Sequence, residues 1–271
     1  MQIDLRLEAL LSGKTHWVRY YKNWSDLTPP LRPHSEAVAA IRAHAGHFKR
    51  VLLLGVTPEL ADIGSELVAL DRQAEMIKYI WPGNAATRCA VQGNWRNVNF
   101  REACFDACIG DGSLNVIRYP DEVFEVCAQV RRVLRPNGAF VCRVYASDPN
   151  DSLEKVRRAA WHGNIRNFHA FKLRLRMAMA QETEDPNVAA ASTLAVFNSW
   201  FPDRDELVSR TGWSRSHIDT VDSYHNSNAT TCFVTEADWR ELALRHFPRV
   251  EFFSSGSYEG ASVCPIMVAY N

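Results

Sequence analysis

Residues Arg50-Val51-Leu52-Leu53-Leu54-Gly55 form an unbroken apolar run closed by glycine. A strand with one face in water alternates polar and apolar side chains, so a run without alternation fits a strand covered on both faces, as in a parallel sheet. Further runs follow at Leu67–Asp71, Arg88–Gln92, Phe105–Gly110 and Ala139–Tyr145. Segments with helical features separate them, among them Arg72 to Trp81 and Tyr119 to Leu134, and Pro33 to Gly46 reads as a helix leading into the first strand. This alternation predicts right-handed crossovers and a doubly wound α/β sheet, whose ligand crevice lies beyond the carboxyl ends of the strands. Pro136-Asn137-Gly138 reads as the turn that launches the fifth strand.

Past residue 235 the pattern changes. Arg249–Ser254 and Val263–Tyr270 flank a connection bearing glycine and serine, which predicts two antiparallel strands completing the sheet, with Pro265 near an edge or a strand start. The sheet does not require the stretch from 151 to 235, which is rich in arginine and in aromatics such as Trp161, Phe168, Phe171, Phe197, Trp200 and Phe201. The expected organisation is therefore an amino-terminal cap over 1–34, a core over 35–150, a mostly helical lid inserted at 151–235, and a last helix with the terminal strands over 236–271.

Composition excludes several classes. Thirty-one basic residues balance thirty-one acidic ones, so the chain lacks the electrostatic footprint of a dedicated nucleic-acid binder. No stretch reaches about 18 uninterrupted apolar residues, and charge interrupts the amino terminus, so a soluble, untargeted cytoplasmic protein without membrane contact is expected. The seven cysteines never form a C-x-x-C pair and lie mostly in apolar segments, which reads as reduced core thiols with no disulfide framework and no metal site. From Leu153 to Arg176, however, seven basic residues face the single acid Glu154. That stripe is either a solvated helix surface or a docking face for an anionic or carrier-bound substrate.

The chemistry gathers at the strand tips. Gly55-Val56-Thr57 follows the first strand, where a missing Cβ lets backbone approach a ligand. Asp71 ends the second strand with Arg72 behind it, and a carboxylate there can accept hydrogen bonds from both hydroxyls of a ribose. Gly93-Asn94-Trp95 ends the third strand, offering an amide at the level of an adenine. Gly110-Asp111-Gly112-Ser113-Leu114-Asn115 is a polar tip at the centre of the crevice. The G-x-G-x-x-G spacing that seats a pyrophosphate is absent after the first strand, so a phosphate-free adenosyl cofactor fits better than a dinucleotide.

These segments resemble the class I methyltransferases that depend on S-adenosylmethionine (SAM). VLLLG is similar to the family's first motif, LVALDRQAEMI to the second, VQGNW to the adenine-side motif, FDACIGDGSLN to the fourth, and VRRVLRPNGAFVCRVY to the helix, turn and fifth strand. The resemblance implies a seven-stranded Rossmann-like sheet with a reversed final strand and SAM contacts at Gly55, Asp71, Met76, Asn94, Trp95, Gly110 and Asp111. Three departures stand out. Leu53 occupies the place of the family's usual acid, Asn94 replaces a usual aspartate, and the insertion at 151–235 matches no lid from which an acceptor could be named.

Methyl transfer needs alignment, exclusion of water and, for some acceptors, a base. Tyr21, in the aromatic stretch Trp17–Trp24, is expected to face the sulfonium, because aromatic faces attract cations within about 6 Å. Asp111, His169 and His225 are the candidate bases, with Asp111 read first as holding the cofactor's amino group. The expected function is N-, O- or C-methylation of a small molecule, in specialised biosynthesis, with S-adenosylhomocysteine as product. Two alternatives stay open: intramolecular cyclisation of SAM to azetidine-2-carboxylate with release of methylthioadenosine, and a SAM-binding module without catalysis.

Overall fold

The computed structural model describes residues 20–271. Its strands are, in chain order, β1 (Arg50–Leu54), β2 (Glu66–Asp71), β3 (Arg88–Gln92), β4 (Phe105–Asp111), β5 (Leu134–Arg143), β6 (Asn187–Ala189), β7 (Thr230–Cys232), β8 (Arg249–Phe253) and β9 (Ile266–Tyr270). Seven of them form one sheet in the order β3-β2-β1-β4-β5-β9-β8. The first five run parallel, and β9 enters antiparallel between β5 and β8. The turn expected at Pro136–Gly138 lies within the first half of β5, where the register against β4 shifts and Asn137 takes a left-handed φ of 65°.

Both faces of the sheet are covered, as the unbroken apolar runs require. Helix α1 (Ser35–Ala45) buries Ala37, Ile41 and Ala45, and with α2 (Ala74–Tyr79) it covers the face that carries Leu53, Ala69 and Ile109. Helix α3 (Asp121–Val133) places Val123, Val126, Cys127, Val130 and Val133 on one stripe at intervals of three and four residues. That stripe packs on the opposite face, beside Leu52, Leu54, Cys108 and Phe140. Acidic Asp121 and Glu122 open α3 and basic Arg131 and Arg132 close it, each at the end of the helix dipole that favours it.

Between β5 and the carboxyl-terminal strands lie α4 (Leu153–Trp161), α5 (Phe168–Thr183), α6 (Ala190–Trp200), α7 (Arg204–Thr211), α8 (Arg215–Asp219) and, after β7, α9 (Glu236–Leu244). Helix α5 is the axis of this insertion. The side chain of Asn167 caps it by accepting from the amides of His169 and Ala170, and burial then runs almost continuously from Phe168 to Ala180. Its Phe168 and Phe171 pack with Phe197, Phe201 and Trp213 in a second core. The small β6–β7 sheet returns the chain towards the main sheet, since Asn187 accepts from the amide of Tyr119 at 2.9 Å and donates to its carbonyl at 2.9 Å. Residues 1–19 of the expected amino-terminal cap lie outside the described residues. Residues 20–32 run across both cores: Tyr20, Tyr21 and Trp24 pack against the sheet, and Leu31 packs against the insertion.

Candidate functional site

A cavity of about 550 Å³ opens at the carboxyl ends of β1, β2 and β4 and extends to α5 and the β6–β7 connection. Its sheet-side wall consists of the tips of these strands. Gly55 leaves β1 with a φ of 99°, a conformation that a side chain disfavours, and a Cβ built there would meet only Trp95, at 3.8 Å. The space over Gly55 is thus a cradle kept open by the missing side chain. The indole N–H of Trp95 donates to the carbonyl of Leu70 at 2.6 Å, fixing the ring across the tips of β1 and β2.

Asp71 ends β2 inside the same cavity, its Oδ1 accepting from the amide of Gln73 at 2.8 Å. Burial raises its carboxyl to about 6, against the opposing pull of that amide and of Arg72. Asp111, at the tip of β4, is nearly buried and forms an ion pair with the fully buried Arg143 of β5. Burial lifts the Asp111 carboxyl above its ordinary range, although Arg143 holds the rise back. Arg143 also donates to the hydroxyl of Tyr258 at 3.2 Å, and its Nη2 has no partner. Behind this pair, Gly112 turns in the left-handed region beneath the ring of Tyr145.

Gly55, Val56, Thr57, Asp71, Arg72, Met76, Trp95, Asp111, Gly112 and Ser113 line this cavity together. Gly93 and Asn94 instead border a smaller hollow of about 50 Å³, shared with Asp71, Arg72 and Trp95. Gly110 lies behind the wall, where a Cβ would come within 2.8 Å of the Ser113 hydroxyl. Asn115 also lies behind the wall. It donates to the carbonyls of Tyr145 and Cys232 at 3.1 and 2.8 Å and accepts from the amide of Tyr145 at 2.9 Å, bridging three segments with both ends of its amide.

Among the catalytic candidates only Asp111 faces the cavity. Tyr21 turns away and stacks on Tyr79 with ring centroids 4.5 Å apart, and its neighbour Tyr20 occupies the wall. His169 is fully buried outside the cavity. Its Nδ1 accepts from the amide of Thr28 at 3.2 Å, and its Nε2 lies 3.3 Å from the hydroxyl of Thr220. Burial, with Lys172 and His217 nearby, depresses its pKa to about 2, so the ring is neutral. His225 is exposed.

The insertion contributes a wall that the motifs do not mark. Lys172, Leu173, Arg176, Tyr224 and Phe233 line the cavity together with Tyr20 and Tyr145. A partial signal existed, because Lys172 and Arg176 belong to the basic stripe and are spaced by four residues, hence on one face of a helix. The stripe therefore divides. These two turn inward, Arg174 pairs with Asp151 at 2.8 Å, and Arg157 lies over the ring of Trp200.

Residues 55–142 match the family model of a methyltransferase domain. No curated protein matches the chain. Among solved structures, the 1,6-didemethyltoxoflavin N1-methyltransferase of Burkholderia thailandensis, with 1,6-didemethyltoxoflavin and S-adenosylhomocysteine bound, is 17% identical, with a TM-score of 0.56 over all of this chain and 92% of its own. A SAM-dependent methyltransferase from Thermotoga maritima is 11% identical, with a TM-score of 0.50 over 94% of this chain and 97% of that one. A Rhodobacter sphaeroides protein described as a zinc-dependent alcohol dehydrogenase is 9% identical, with a TM-score of 0.59 over 96% and 98%. At these identities the likenesses speak to the fold. The chain thus has the fold of the class I Rossmann-like, SAM-dependent methyltransferases, and residues 55–142 of it match the methyltransferase-domain model.

Proposed function

We propose that this protein transfers a methyl group from SAM to a nitrogen, oxygen or carbon of a small molecule that enters between the sheet and the insertion. The observation that carries the reading is the continuity of the cavity, which runs from Gly55 and Asp71 past Asp111 to the side chains of Lys172, Tyr224 and Phe233. One end suits an adenosyl group and the other holds space for an acceptor. The Burkholderia relative, of similar fold, holds both a small heterocycle and the demethylated cofactor. A cavity walled by two helical elements and a sheet edge buries most of a ligand of drug size, as small-molecule sites do.

The residues present fit the cofactor. The Asp71 carboxylate would accept from the ribose hydroxyls, Trp95 and Met76 would flank the base with Gly93 and Asn94 at its edge, and the cradle over Gly55 would receive the chain that leads to sulfur. SAM supplies an activated methyl group on its sulfonium. Tyr20 lines the cavity near Asp111, Arg143, Arg176 and Tyr224. Asp111, held by Arg143, keeps a charged acceptor of hydrogen bonds at that point, suited to an ammonium. Burial alone would raise the Tyr224 hydroxyl, but Lys172, Arg176 and the hydrogen bond from Arg176 bring it below the usual phenol range. Tyr224 is thereby placed to receive a proton from an acceptor, and the aromatic walls keep water from the reacting atoms.

The test is incubation of the purified protein with SAM and a panel of small amines, phenols and enolisable heterocycles, followed by mass spectrometry. A product heavier by one methylene together with S-adenosylhomocysteine is the expected result. Methylthioadenosine formed from SAM alone would replace intermolecular transfer by intramolecular use of the cofactor.

A further inference from the structure

Helix α5 sends two cations into one end of the cavity from successive turns. Lys172 is 3% exposed and Arg176 is 7% exposed. Among the described residues no carboxylate lies within ion-pair distance of either. The cavity's own acids are engaged elsewhere, Asp111 with Arg143 and Glu122 with Arg96, and Asp71 stands at the far end. Among the described residues, Lys172 meets the hydroxyl of Thr220, at 3.3 Å, and the faces of Phe168 and Tyr224, with ring centroids at 5.8 and 5.2 Å. That hydroxyl already donates to the carbonyl of His217 at 2.6 Å. Arg176 donates from Nη2 to the carbonyl of Val188 at 2.8 Å and from Nη1 to the Tyr224 hydroxyl at 3.4 Å. Its Nε is buried without a partner.

Two like charges four residues apart on a helix repel one another, and burying a charge without a counter-ion costs several kcal/mol. A fold that keeps both inside a cavity, with one guanidinium N–H unused, is built for an anion arriving from outside. Among the described residues, carbonyl oxygens and ring faces hold the two side chains in place and no carboxylate cancels their charge, and burial, with Arg176 beside it, lowers the Lys172 ammonium from its ordinary range. We propose that Lys172 and Arg176 form the seat for a carboxylate of the bound small molecules, so that what occupies this end of the cavity is an amino or carboxylic acid rather than a neutral heterocycle. The proposal rests on the SAM-dependent reading above and names the chemistry of the site's second end. The carboxylate has two sources, the acceptor or the amino-acid moiety of SAM itself.

Calorimetry on the full chain, with S-adenosylhomocysteine and with methylthioadenosine, separates the sources, because only the former carries a carboxylate. Lys172→Met keeps the contacts to the Phe168 and Tyr224 rings while removing charge, and Arg176→Lys keeps charge while removing the fork. If the cofactor's carboxylate occupies the seat, both variants lose about tenfold or more in affinity for S-adenosylhomocysteine and bind methylthioadenosine as the parent does. If the acceptor's carboxylate occupies it, affinity for S-adenosylhomocysteine is unchanged. Acetate, compared with chloride at equal ionic strength, then raises the melting temperature of the saturated parent and not of Lys172→Met. The proposal is overturned if variants that bind methylthioadenosine normally match the parent in both measurements. A folded parent that binds neither nucleoside would instead remove the SAM reading itself.

Discussion

The two walls of the cavity reach the same space by different means. On the sheet side the shape comes from backbone, namely Gly55 and Gly112 at positive φ, an indole pinned to the Leu70 carbonyl, and one carboxylate at the end of β2. On the insertion side it comes from long side chains of α5 and the β6–β7 connection, held over aromatic rings. Backbone at strand tips cannot change shape without changing the sheet, whereas side chains on an inserted helix can change with no effect on the sheet's register. On the function proposed above, the first wall would hold the nucleoside of the cofactor, and the second would meet the acceptor or the cofactor's carboxylate.

The sharpest way to break that division is through Asn115, which ties β5 and β7 to the tip of β4. Asn115→Leu takes the side-chain partner from the Cys232 carbonyl and the Tyr145 amide, while the Trp239 indole still donates to the Tyr145 carbonyl at 3.1 Å, and should cost about 3 kcal/mol, read as a lower urea midpoint with an unchanged slope. A variant of parental stability would mean that the two walls are not coupled at this point. Next in size, Asp71→Asn should weaken S-adenosylhomocysteine and methylthioadenosine equally, by about 2 kcal/mol, since the ribose is common to both and a charged acceptor is lost. An unequal loss would place the insertion in contact with the nucleoside.

Acidification separates the walls by pH. With the Asp71 carboxyl at about 6, affinity for the nucleoside should be level above that pH and decline as pH falls through it, and Asp71→Asn should flatten the profile. His169 acts on stability instead. Its folded pKa of about 2 lies below the value near 6.5 of an unfolded chain, so the unfolded state binds the extra proton, and stability complete above pH 6.5 is lost on acidification at up to about 1.4 kcal/mol per pH unit. His169→Asn should remove that slope in denaturant titrations at pH 7 and pH 5. Smallest of all, Tyr21→Ala should cost under about 1 kcal/mol of stability and leave nucleoside affinity alone, because Tyr21 stacks on half-exposed Tyr79 rather than facing the cavity. A large loss of affinity there would return Tyr21 to the site.

The sheet wall was legible in the chain because two-sided burial writes an unbroken apolar run, and a strand tip that meets a ligand writes a glycine or an acid just after it. Gly55, Asp71 and Asp111 carry that signature. Asn115 lies in the same polar stretch, yet its amide is spent on backbone, since a polar tip also serves to join strands. The insertion wall was not legible in the same way. Charge on a helix looks alike whether it points to water or into a cavity, and only the packing of Phe197, Phe201 and Trp213 against Phe168 and Phe171 of α5 decides that Lys172 and Arg176 point inward. Tyr20 and Tyr21 differ by one residue, about 100° around a helix, which composition cannot resolve.

The strip from Tyr20 to Arg32 has one more consequence. It is joined to the insertion through Thr28 and His169, to the loop after β1 through Arg32 and Glu59, and to the sheet through Tyr20 and Trp24. Such a strap joins the two walls as a tie-rod joins the sides of a frame, so a longer segment between Tyr20 and Thr28 should let the walls stand further apart without any change in the residues of either.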